Sequence, residues 1–177
     1  MTSKAADTSS YDDSNPAIAA FSKKLLNPVL QRLFLLAKLP SAFFMGIRIQ
    51  AMAKEEASVT VPFRWSSQNP FKSTYFAAQA AAAEMSTGVL AMRALQGRGR
   101  ISMLVTNVTG SYGKKATQKA TFRCQDGLKV IETVQRAIDT GESQSVVMQT
   151  IGTQVAKDGT IQEVSRFEFT WSFKAKK

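Results

Sequence analysis

Residues 69–93, NPFKSTYFAAQAAAAEMSTGVLAMR, restrict the fold more than any other part of the chain. Between Lys72 and Arg93 there is a single charge, Glu84, set among alanine, serine, threonine, glycine and a few large apolar residues. Alanine is the best helix former, so the segment predicts a long helix over about 72–95. A surface helix carries a charged face. This one has none, and its small side chains let a sheet approach the axis closely. The rest of the chain must therefore supply the sheet.

It does so by a change of period. Ile47, Ile49 and Ala51 alternate with Arg48, Gln50 and Met52, then the 54–56 turn leads to Val59, Val61 and Phe63, which makes a hairpin. After a break at Gly97-Arg98-Gly99 come Ile101, Met103 and Val105 on one strand and Ala120, Phe122 and Cys124 on the next. Asp126-Gly127 opens an amphipathic insertion at about 126–140 carrying Leu128, Ile131, Val134 and Ile138. Two long strands finish the chain. Val147, Gln149, Ile151, Thr153 and Val155 alternate on the first, Asp158-Gly159 turns it, and Phe167, Phe169, Trp171 and Phe173 share a face of the second. The fold class is thus α+β, a helix on one face of an antiparallel sheet.

Ahead of this core, residues 1–14 read as a polar disordered tail and 15–40 as helices within a single domain spanning 15–177, whose core is 41–177. Asn15-Pro16 and Asn27-Pro28 are helix starts, with Asn as cap and Pro at the first helical position. The apolar Val29, Leu30, Leu33, Phe34 and Leu36 suit helices that cap a core or cover a sheet edge. The competing reading, a basic amphipathic segment on a membrane surface, has few flanking charges in its favour.

The chain has no histidine. That excludes serine and cysteine nucleophiles activated by imidazole and zinc sites that need it, and no metal site is expected. Near-neutral acid–base chemistry falls to a carboxylate, lysine, tyrosine or water. The single cysteine, Cys124, cannot form an intrachain disulfide, and it alternates with core residues, so a buried thiol is expected. With no secretory signal and no uninterrupted apolar span, a cytoplasmic protein is expected. The net charge of +10 favours polyanions, but the cations are scattered and no nucleic-acid motif accompanies them, so a nucleic-acid role is disfavoured.

Glu84 has Ala80, Ala81, Thr87 and Gly88 one turn away, so nothing on its helix pairs with it. A carboxylate in such a sheath loses water, and its pKa rises unless donors reach it; that suits a general base or nucleophile. A narrow exposed stripe or a structural hydrogen bond accounts for it equally well from these residues alone.

The element order and the stretch from Asn69 to Glu84 resemble the hot-dog-fold thioesterases, in the branch of the phenylacetate-pathway enzyme and of an uncharacterised bacterial domain family. That branch carries an Asn, a Gly-Thr-Leu-His-Gly-Gly-like turn, and an acid fifteen positions after the Asn, as Asn69 and Glu84 stand here. The resemblance covers about residues 40–175. It implies a hot-dog domain with N-terminal capping helices that hydrolyses an acyl-CoA or acyl-carrier thioester, with coenzyme A as part of the substrate and no other cofactor. Glu84 takes the role of base or nucleophile and Asn69 that of orienting water. Tyr75 stands where the family has His, and Phe76-Ala77 where it has Gly-Gly. A backbone N–H at Tyr75, Phe76 or Ala77 would hold the oxyanion, while the added Cβ atoms narrow the ligand's approach. Arg98, Arg100, Lys114 and Lys115 are candidates for the phosphates of coenzyme A, or solvated loop charges. The resemblance further implies a homodimer or dimer of dimers. A non-catalytic acyl or lipid binder is the alternative, and a basic module for anionic membrane or nucleic acid a second.

Overall fold

A computed structural model describes residues 14–176; the expectation for the polar tail lies, Ser14 aside, outside them. Three short helices come first: α1 (Pro16–Leu26), α2 (Pro28–Lys38) and α3 (Pro40–Met45). Each has Pro in its first turn. The Asn15 side chain accepts from Ala17 N–H, and that of Asn27 from Val29 and Leu30 N–H, as the Asn-Pro pairs predict.

The hairpin β1 (Arg48–Met52) and β2 (Ala57–Val61) leads to α4 (Phe76–Leu95), followed by β3 (Ile101–Tyr112), β4 (Ala120–Cys124), α5 (Gly127–Thr140), β5 (Gln144–Val155) and β6 (Ile161–Ala175). The strands form one antiparallel sheet in the order β1-β2-β4-β5-β6-β3. It curls around α4, which touches β1, β2, β4, β5 and β6. This is the hot-dog arrangement.

α4 is enclosed by necessity of its composition: Ala78, Ala82, Ala83, Ala91 and Ala94 have almost no exposure, and Phe122, Phe167, Phe169 and Phe173 pack from the sheet side of the same core. Three buried side-chain bonds tie helix to sheet. Trp171 Nε1 donates to Thr87 Oγ1 at 2.9 Å, Ser86 Oγ to Thr150 Oγ1 at 2.8 Å and Ser165 Oγ to Gln79 Oε1 at 2.9 Å. Cys124 is buried and burial pushes its thiol up to about 12, so it is inert packing.

Three local expectations are corrected, and the face that β5 turns inward is settled. The helix starts at Phe76 rather than Lys72, because Asn69 folds 70–74 into a turn by accepting from Phe71 and Ser73 N–H, and Lys72 takes a positive φ of 57°. In β1 a bulge between Ile49 and Ala51 reverses the alternation, so Met52 is buried and Ala51 exposed. In β5 the inward residues are Met148, Thr150, Gly152 and Gln154, while Val147 and Val155 face outward. The Phe122 ring occupies the space above Gly152 where a Cβ would stand, and Gln154 binds the 115–118 loop through Lys115 C=O and the Thr117 and Gln118 N–H groups. Finally, α2 is turned inside out: Gln31 and Leu35 point inward, and Val29, Leu30, Leu33 and Leu36 are exposed.

Candidate active site

Ala77, Ala80, Ala81 and Glu84 recur at helical spacing and form a half-buried stripe along the first half of α4, which is otherwise enclosed between its exposed Phe76 and its partly buried Met92 and Leu95. At Glu84 the stripe runs beside β6, and at the helix start Tyr112 of β3 reaches Phe76. The Glu84 carboxylate lies toward Gly88: its Oε1 is 3.1 Å from the point a Gly88 Cβ would occupy, and the Trp171 ring is 3.4 Å from the same point. Glycine here leaves room for the acid and the indole together. No side chain among the described residues hydrogen-bonds or pairs with this carboxylate, and burial alone holds its pKa above the ordinary 4.5. The Trp171 N–H that might have served is committed to Thr87.

At the other end of the stripe is the start of α4. Tyr75 caps it without a side-chain bond. Ala78 and Gln79 N–H turn back to Tyr75 C=O, and within the described residues no acceptor takes the N–H of Phe76 or Ala77. First-turn N–H groups without a partner, at the positive end of a helix dipole, suit an anionic oxygen. Phe76 is exposed, stacks edge-on against Tyr75 and Tyr112, and its carbonyl accepts from the Tyr112 hydroxyl at 3.4 Å. A cleft of about 340 Å³ opens beside it, between Asn69, Ser73, Thr74, Gln79 and the 112–116 loop with Lys114 and Lys115.

The structure therefore gathers Asn69, Tyr75, Phe76, Ala77, Lys114 and Lys115 at one end of α4 and leaves Glu84 elsewhere. Glu84 stands seven positions after Ala77, about 10 Å along the helix at roughly 1.5 Å per residue. Asn69 is also occupied: it receives Phe71 and Ser73 N–H and donates its amide to Ser73 Oγ at 3.1 Å. It organises the loop before α4 and does not meet Glu84 within one chain. Arg98 and Arg100 follow α4 at its far end, and Arg98 donates to Ile131 C=O at 3.5 Å. The length of β3, roughly 3.3 Å for each residue, parts them from Lys114 and Lys115. These four cations cannot meet one phosphate group within one chain. Sequence reasoning placed Gly88 one turn from the acid but missed the Trp171 ring beside both. Their spacings were visible, but the closeness of β6 to the second half of α4 was not.

Comparison with known proteins bears on the family and the fold. In sequence, residues 29–172 match the model of a domain of unknown function, DUF4442. No curated protein matches the chain. Among solved structures, a protein of unknown function from Chlorobaculum tepidum superposes with a TM-score of 0.69 at 15% identity, covering 86% of this chain and 99% of its own. A thioesterase family protein from Silicibacter pomeroyi gives 0.56 at 12% identity over 84% and 98%, and a thioesterase from Haemophilus influenzae gives 0.52 at 13% over 80% and 87%. At such identities the likeness shows the fold, a thioesterase-like hot dog. With most of its length matched, the chain belongs to the DUF4442 family.

Proposed function

We propose that this protein hydrolyses the thioester of an acyl group carried on coenzyme A or a carrier protein, with Glu84 as base or nucleophile. The observation that carries the reading is the Glu84 carboxylate: half-buried, without a partner among the described residues, and raised in pKa by desolvation beside β6. The unpartnered N–H groups of Phe76 and Ala77 would hold the carbonyl oxygen as it gains charge.

These two parts lie too far apart in one chain to act on one carbonyl, so the reading requires a second copy whose helix start faces this Glu84. β3 offers the surface. It is an edge strand exposed along most of its length, with Leu104 on its outer face and Val108 and Tyr112 on the side facing α4. An unpaired apolar edge of this length is a pairing site. Antiparallel pairing of two β3 edges would bring Arg100 of one copy toward Lys114 and Lys115 of the other, so that phosphates of coenzyme A could meet both.

The test is turnover of acyl-CoA esters of graded chain length by the native protein and by Glu84→Gln. Loss of about a hundredfold or more in kcat/KM is expected; turnover unchanged by Glu84→Gln would refute the role. The second reading, an acyl binder without turnover, is favoured by the Phe76 side chain standing over the helix start. It predicts saturable binding of acyl-CoA with no thiol released by either protein.

A further inference from the structure

The outward face of α2 is apolar where a surface helix should be polar. Its inward face instead holds Gln31, whose amide donates to Leu25 C=O at 2.6 Å and Ile49 C=O at 2.9 Å and accepts from Ile49 N–H at 3.2 Å. With that polar group turned in, Val29 (67% exposed) and Leu33 (58%) stand in solvent with Leu30 and Leu36, continued at the helix ends by Leu26 and Leu39. Phe44 of α3 is exposed as well. Trp65 is 87% exposed and follows Arg64, whose guanidinium donates to Phe44 C=O at 2.9 Å.

The charge around this face has one sign. Between Asn15 and Ala53 the chain has Lys23, Lys24, Arg32, Lys38 and Arg48 and no acid. Lys24 lies over the Phe34 ring and Arg32 over the Phe43 ring, 3.7 Å from its centroid. Arg48 and Arg64 both repel the charge on Arg32, and no carboxylate among the described residues is bridged to any of the three. A groove of about 250 Å³ opens between Leu26 and Pro28 on one side and Arg32, Arg48 and Gln50 on the other.

We propose that this face docks the protein on an anionic lipid bilayer. The leucines of α2, with Phe44 and Trp65, enter the headgroup boundary, and a lipid phosphate is drawn to the groove beside Arg32 and Arg48. Apolar side chains rimmed by cations, an aromatic at the margin and a helix too short to span are the parts of an interfacial anchor. No described helix is long and apolar enough to cross a membrane. A second copy of the chain fits the same face poorly, since two such copies would bring like charge against like. The inference is independent of the thioester reading.

Vesicle co-sedimentation of the full chain tests it. Binding is expected on phosphatidylcholine vesicles containing about one third phosphatidylglycerol, and should be about tenfold weaker or more on phosphatidylcholine alone or in ~0.5 M salt. Leu33→Glu and Val29→Glu should each abolish it, while Lys38→Gln with Arg48→Gln should erase the preference for anionic lipid. Trp65 emission should shift to the blue on binding, and Trp65→Phe should remove the shift, since Trp171 is already buried. Equal binding to both vesicles, binding indifferent to Leu33→Glu, or a lipid-free oligomer that Leu33→Glu splits would each overturn it.

Discussion

Glu84 occupies an environment that works against its own charge, and stability should report this directly. Its folded pKa lies above the unfolded value because burial penalises the ionised form. The folded state is therefore penalised at pH values above the ordinary 4.5 and progressively relieved as pH falls through the raised pKa. Glu84→Gln should accordingly raise the melting temperature at pH 7, with the gain vanishing near pH 4. A melting curve lowered by the change at pH 7 would show that the carboxylate has donors that stabilise it. In turnover, the ionised form is the active one, so the acidic limb of kcat/KM should lie above the ordinary carboxylate range. Gly88→Ala should retain the fold, as alanine is the better helix residue by up to about 1 kcal/mol, yet slow turnover by displacing the acid or the Trp171 ring; thermal melting and kinetics separate the two effects. The acid itself was legible in the sequence as the single charge in an alanine run. Its direction was not, because that depends on a ring eighty-odd positions away meeting a glycine.

Elements with a single period were readable in advance, and those with a local irregularity were not. The aromatic face of β6 and the caps of α1 and α2 stand where their patterns put them. β1 departs through its bulge, and α2 because an amide is worth more inside than a leucine at that position. Gln31 serves the N–H and C=O of Ile49 on the edge strand β1, as a neighbouring strand would. Gln31→Ala should leave those groups unmet and cost about 1–3 kcal/mol, measurable by urea unfolding. Gln31→Glu would set a buried carboxylate against the Leu25 and Ile49 carbonyl oxygens and should cost at least as much at pH 7. Thr87→Val tests the link of α4 to β6 in the same way: the Trp171 N–H would be left buried without a partner, at a cost of about 1–3 kcal/mol.

At the scale of the molecule, the sheath around α4 followed from composition, but the separation of Asn69 from Glu84 did not. A spacing of fifteen says nothing of whether two residues converge within a chain or across copies. If they converge across copies, Val108→Asp on the exposed edge should give a monomer by light scattering and abolish turnover together. Mixing inactive Phe76→Pro, which removes the first-turn N–H at a position tolerant of proline, with inactive Glu84→Gln should restore activity at about a quarter of the sites after subunit exchange. A mixture that stays inactive while exchanging would refute a site shared between copies.

The strand order has a consequence for biosynthesis. β6 lies between β5 and β3, so β3 has no hydrogen-bonding neighbour until everything from Gly113 to Thr160 has been made and β6 itself has arrived. During that interval Leu104 and Val108 sit on a strand with two open sides, the kind of nascent segment that sticks to other chains. Chaperone dependence and losses to aggregation should concentrate in that window, and charged substitutions on the outward side of β3 should improve yield even where they leave the melting temperature unchanged.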